Sequence, residues 1–237
     1  MVRNRFDRQL RDLNRQMTAM GKLCELAITS ATTALATGNS ETAREVIRAD
    51  AQIDQAERDI EHLCMKLLLQ QQPVARDLRQ ISAALKMITD LERIGDQAAD
   101  IAEIVLTSEM EAAADFPKIL EMSDQVAKMV ADAIAAYVNR DLALTSAVLQ
   151  HDGAVDELFV GVRSELIGFI VNVAQQHAEE GRSADLLGTS DEAETAIDLM
   201  MIAKYLERIG DHATNVAEWV AFSITGVHSG GFDTKPE

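Results

Sequence analysis

One hexapeptide occurs twice, unchanged, in this chain: Leu91-Glu92-Arg93-Ile94-Gly95-Asp96 and Leu206-Glu207-Arg208-Ile209-Gly210-Asp211. Chance does not supply such a match within 237 residues, whereas duplication of a structural unit does. The likeness continues through Ala98/Ala213, Ala102/Ala217 and Glu103/Glu218. Upstream, Asp50-x-x-x-Asp54 corresponds to Asp152-x-x-x-Asp156. Whatever one copy folds into, the other must fold into as well.

The unit reads as helical. From Phe6 through Leu10, Leu13, Met17 and Met20 the apolar residues keep the i, i+3, i+4 spacing of one helix face. Gly38-Asn39-Ser40 offers a helix stop followed by an N-cap. A second helix is predicted over Ser40 to Gln71, and a third from Pro73, which suits a first turn, to Thr107. After a soft stretch from Ser108 to Asp115 the cycle repeats. Pro117 opens a fourth helix, Asn139-Arg140-Asp141 closes it, and a fifth runs to about Glu180. Gly181 to Ser190 reads as a loop, and a sixth helix spans about Asp191 to Thr225. The expected fold is all-α: two tandem three-helix bundles over residues 1–110 and 111–226, with 227–237 as a flexible tail. Three prolines in the whole chain agree with this.

Charge narrows the function. With 22 basic and 39 acidic side chains the formal net charge is −17, which repels nucleic-acid phosphates and anionic lipid. Metal cations or basic protein surfaces are the expected partners. Arg3, Arg5, Arg8, Arg11 and Arg15 read as the solvated face of the first helix. Cys24 and Cys64 lack metal-ligand spacing and read as reduced core residues. No signal peptide is recognisable, and the apolar run from Leu166 to Ala174 falls short of the ~20 residues a membrane span needs. A soluble, cytoplasmic protein is expected.

The repeated segment carries carboxylates in columns. Residues at i, i+4 and i+8 share one side of a helix, which aligns Glu92, Asp96 and Asp100, and likewise Glu207, Asp211 and Asn215. Like charges at this spacing destabilise a helix by a few tenths of a kcal/mol per pair, roughly. Gly95 and Gly210, costly inside a helix, imply open space or close helix approach beside each column. If helices two and three form an antiparallel hairpin about Pro73, Asp54 and Glu92 are equidistant from the turn, as are Asp50 and Asp96. Asp156/Glu207 and Asp152/Asp211 relate likewise in the second unit. The candidate metal ligands are thus Asp50, Asp54, Glu92, Asp96 and Asp100 in one set and Asp152, Asp156, Glu207, Asp211 and Asn215 in the other. All-oxygen sets suit hard cations: Mg²⁺, Mn²⁺, Ca²⁺ or ferric iron. The alternative is a solvated acidic stripe neutralised by Arg93, Arg208, Arg76 or Arg79. No E-x-x-H motif, P-loop, nucleophile elbow or dinucleotide fingerprint accompanies these carboxylates. A metal-dependent hydrolase or oxidase is the alternative from another class, and a metal store a third, although no proton-transfer group is evident.

These residues resemble the PhoU family of phosphate-specific transport regulators along nearly the whole chain. The resemblance rests on Phe6-Asp7, Val46-Ile47, Asp50…Ile53-Asp54…Glu57, the run Gln71-Gln72-Pro73-Val74-Ala75-Arg76-Asp77-Leu78-Arg79, and both Glu-Arg-Ile-Gly-Asp segments. Asn215 departs from the pattern, standing where the first copy has Asp100. A His-Thr element often found before the Phe-Asp is absent. The resemblance implies a non-enzymatic negative regulator of phosphate uptake and of the phosphate-starvation response. It further implies metal at the repeated motifs in some members, and a link between the phosphate ABC transporter ATPase and a membrane sensor histidine kinase. A homodimer is expected.

Overall fold

The structure is a computed structural model and describes residues 2–71, 73, 75–108, 116–179 and 190–227. Those residues form six helices and no strand: α1 (Val2–Thr37), α2 (Ser40–Gln71), α3 (Ala75–Thr107), α4 (Pro117–Asn139), α5 (Leu142–Glu179) and α6 (Ser190–Thr225). The helices follow the predicted pattern closely, with one difference at Pro73. That proline precedes α3 rather than opening it. The stretch predicted as a linker, from residue 109 on, the loop over 180–189 and the tail from residue 228 lie outside the described residues.

The two copies turn their first corner with the same chemistry. Gly38 (φ 63°) and Arg140 (φ 56°) take the left-handed conformation after α1 and α4. The next amides, Asn39 N and Asp141 N, then donate to the carbonyls of Ala34 and Ala136 at 3.1 and 3.0 Å, which closes both helix ends. The side chains of the same residues start the following helix. Asn39 Oδ1 accepts from the amides of Glu41 and Thr42, and Asp141 Oδ1 from those of Ala143 and Leu144. A residue with a Cβ in this conformation costs about 1–2 kcal/mol, and Arg140 reaches across to donate to the Ser223 carbonyl at 3.4 Å.

Helices α1, α2 and α3 pack on one another, as do α4, α5 and α6. The two bundles then join along α3 against α6 and α1 against α4, so both signature segments lie on helices at the centre of the molecule. One continuous apolar core results. Leu91, Ile94, Leu206 and Ile209 belong to it from the signature helices, with Met17, Met20, Val126 and Val130 from α1 and α4. Gly21 admits Ile134 between α1 and α4, where a Cβ would stand 2.7 Å from Ile134 Cγ1. Cys24 and Cys64 are free and buried in this core. The Cys24 thiol donates to the Leu91 carbonyl at 3.3 Å, and burial, followed by the charge of Asp50, pushes it up to about 12. Neither thiol is a nucleophile in this setting.

Candidate metal centres

In the first copy α2 packs on α3, and Gly95 sets how closely. A Cβ built at Gly95 would lie 2.8 Å from Ile53 Cδ1 and 3.0 Å from Asp50 Oδ1. The Asp50 carboxylate therefore occupies space that any other residue at position 95 would fill. Its Oδ1 is buried and accepts no hydrogen bond. Burial first, then the charges of Asp96, Asp54 and Asp100, push Asp50 up from 3.8 to about 6. Burial also raises Glu92, with Asp96 adding to the rise and Arg93 opposing it. Asp100 is raised by burial, then by Glu103 and Asp96. Burial and then neighbouring negative charge impede the ionisation of Asp50, Glu92 and Asp100, so the cluster lacks positive charge.

The available cations do not supply enough. Arg93 holds Asp96 at 2.9 Å and Glu92 at 3.4 Å, and Arg58 lies 3.5 Å from Asp54. Arg76 and Arg79, considered above as neutralisers, instead stand near Arg140 and help lower its pKa, after burial. Asp50 has no ion-pair partner among the described residues. Asp54, Asp96 and Asp100 lie within electrostatic reach of Asp50, and Asp54 and Asp96 within reach of Glu92. They are joined by Glu57, which acts on Glu92 and is itself raised by burial, Glu61 and Asp54. Glu57 was not among the predicted residues, although it stands one turn beyond Asp54, a spacing that would have added it.

The second copy has the same frame with a different filling. Asp152, Asp156, Glu207 and Asp211 are brought within electrostatic reach of one another. Asp152, however, accepts a hydrogen bond from Thr214 at 3.2 Å, and Lys204 bridges to Glu207. The counterpart of Glu57 is Phe159, whose ring lies 5.5 Å from the Lys204 ammonium. A Cβ at Gly210 would meet only Val155 at 3.5 Å, Val126 at 3.6 Å and Asp152 Oδ1 at 3.8 Å, ordinary contacts. This cluster has fewer carboxylates and its own ammonium.

Asn215 does not join it. Its Nδ2 donates to Asp90 Oδ1 at 3.1 Å across the junction of the two bundles, and His212 Nδ1 meets the same oxygen at 2.9 Å. The repeat explains the substitution. Asp90 aligns with Tyr205, and Asp100 with Asn215, so the pseudo-symmetric partner of the Asp90–Asn215 bond is the Tyr205–Asp100 neighbourhood. A carboxylate is tolerated beside a phenol, where Arg208 also acts on Asp100. Beside Asp90 an amide donor is required. Sequence spacing aligned Asn215 with its column but held no information about the facing helix.

Among the described residues, no three His, Cys, Asp or Glu side chains stand in the geometry of an assembled metal centre. The donors of the first copy nevertheless fit a hard cation in chemistry: oxygen-only, short of counter-charge, and including one buried oxygen without a partner.

Comparison with known proteins agrees with this architecture. The PhoU domain family model matches residues 17–105 and again 119–220. The phosphate-specific transport system accessory protein PhoU homolog of Pseudomonas putida is 34% identical over 227 residues, spanning 95% of this chain and 82% of that protein. The crystal structure of PhoU from Pseudomonas aeruginosa superposes with a TM-score of 0.79 at 32% identity, covering 94% of this chain and 100% of that one. That of the phosphate transport system regulatory protein PhoU from Streptococcus pneumoniae gives a TM-score of 0.76 at 26% identity, covering 94% and 98%.

Proposed function

The chain belongs to the PhoU family, and from that premise we propose that it is a negative regulator of phosphate uptake and of the phosphate-starvation response. It acts as a metal-binding adaptor, on the cytoplasmic side, between the phosphate ABC transporter ATPase and its sensor histidine kinase. Relatives named as accessory and regulatory proteins of phosphate transport support the role. No described helix is long and apolar enough to cross a membrane, so an adaptor of this kind reaches its membrane partners by docking. The chain works as a homodimer. No observation favours the hydrolase or oxidase alternative.

The observation that carries the metal reading is Asp50 Oδ1, buried without a partner, with the charges of Asp96, Asp54 and Asp100 adding to burial in raising Asp50. Asp50 and Asp54 from α2, with Glu92, Asp96 and Asp100 from α3, would hold the ion, and Glu57 stands in reach. Bound there, a divalent or ferric cation supplies the missing positive charge and ties α2 to α3. In the second copy Asp152, Asp156, Glu207 and Asp211 would do the same against competition from Lys204 and Thr214, and therefore more weakly.

Deleting the gene tests the regulatory role. Phosphate-starvation genes should then be expressed in phosphate-rich medium, and unchanged repression would contradict it. Affinity capture from phosphate-replete cells tests the adaptor. The transporter ATPase or the sensor kinase should be recovered with the intact chain, and recovery of neither would contradict docking.

A further inference from the structure

Helix α5 has apolar residues on both sides. Val155, Val162 and Leu166 point into the core, whereas Val160, Ile167 and Val171 lie on the opposite side, roughly 140–180° around the helix from Val162. They are 54%, 56% and 48% exposed, and Ile170, between the two faces, is 43% exposed. On α6, Ile197 and Met201 are exposed at 61% and 43%. The helices run antiparallel, and the Thr214–Asp152 bond sets Ile197 level, to within a turn, with Ile167 and Ile170. The six side chains make one surface. The core takes up only one of the two apolar sides of α5 and leaves the other exposed.

The first copy serves as an internal control. Positions equivalent to Val160, Ile197 and Met201 hold Arg58, Ser82 and Lys86 there, while Met65 and Leu69 match Ile167 and Val171. The shared fold therefore does not require an apolar residue at all six positions. The second copy alone has made the whole face apolar.

We propose that this face is where two copies of the chain pair about a two-fold axis passing near Ile167 and Ile197. It rests on the homodimer proposed above and names its surface. The exposed apolar area is on the order of 500 Å², the upper end of what a monomer ordinarily shows. One side of a standard interface buries ~800 Å², of which about 65% is apolar in homodimers. The face thus supplies what one half of a stable dimer needs. With a net charge of −17, two copies repel through most of their surface. The six side chains at its centre carry no charge, so two copies meet there with less like-charge repulsion than across acidic surface. A closed isologous pair also leaves no copy of the face free to recruit a third chain.

Sedimentation velocity over a range of concentrations tests this on the full chain, with Ile167→Asp/Ile197→Asp and, as control, Met65→Asp/Leu69→Asp. The unaltered chain and the control should sediment at twice the 25.9 kDa chain mass. The first variant should dissociate about 100-fold more readily, with helical content unchanged. A monomeric unaltered chain overturns the dimer itself. A dimer that persists in Ile167→Asp/Ile197→Asp overturns the face while leaving the dimer standing. The same holds if that variant only loses thermal stability, because the face would then be covered within the chain. Should the variant fail to fold, Ile167→Cys gives a second readout. Oxidised glutathione should link two copies through it at dilutions where Met65→Cys stays unlinked, and equal linking would overturn the proposal.

Discussion

Gly95 and Gly210 occupy equivalent positions in identical hexapeptides, yet their surroundings differ. At Gly95 a methyl group collides with Ile53 and Asp50, whereas at Gly210 it finds ordinary contact distances. Alanine is favoured over glycine inside a helix by about 0.5–1 kcal/mol. Gly210→Ala should therefore stabilise the protein by about that amount. Gly95→Ala should destabilise it by about 1–3 kcal/mol through overpacking. Urea denaturation of both variants reads the signs directly, and equal shifts would contradict the close approach at Gly95. Asp50 makes a second prediction at this scale. It faces Asp54, Asp96 and Asp100, with the neutral Cys24 thiol beside it. Its folded pKa of about 6 lies above the ordinary 3.8, so the folded state binds this proton more tightly than the unfolded chain. The resulting stability is present in full below the ordinary value and is lost as pH rises through about 6. In chelator, the melting temperature of the unaltered chain should fall relative to Asp50→Asn between pH 4 and 7. A constant difference between the two would show that Asp50 carries no such strain.

Single helices and their corners were legible in the sequence because their signals are local. The Gly38-Asn39 and Arg140-Asp141 corners, the spacing of apolar residues and the symmetric distances from Pro73 all act within one element or one hairpin. That hairpin registry placed Asp50 and Asp54 opposite Glu92 and Asp96, and the structure brings these residues together. Contacts made by side chains from facing helices were not legible. Lys204 lying over Phe159 and Thr214 bonding Asp152 depend on which residues α5 and α6 present to each other. They make the two clusters unequal, although the hexapeptides are identical. Isothermal titration of the metal-stripped chain with Mn²⁺ should resolve a tighter and a weaker class of site. Asp96→Ala should remove the tighter class and Asp211→Ala the weaker. Loss of the tighter class in Asp211→Ala would reverse this assignment.

Across the whole molecule, the signature helices do more than hold carboxylates, because α3 and α6 also join the two bundles. Asp90 receives both His212 and Asn215 there, and nothing in the sequence of either copy alone marked it. Restoring the carboxylate by Asn215→Asp should oppose two like charges across this junction and cost about 1–2 kcal/mol, since a hydrogen bond to a charged group is lost as well. Asp90→Asn in the same chain should recover most of that loss in a double-mutant cycle. Additive effects would mean that the two residues do not meet. As proposed above, duplication built two carboxylate clusters that bind metal and brace the helices of a phosphate regulator. Elemental analysis of the purified chain beside Asp96→Ala/Asp211→Ala tests it most directly. The unaltered chain should carry a hard cation that the double variant lacks while keeping its helical content, and equal metal in both would contradict the account.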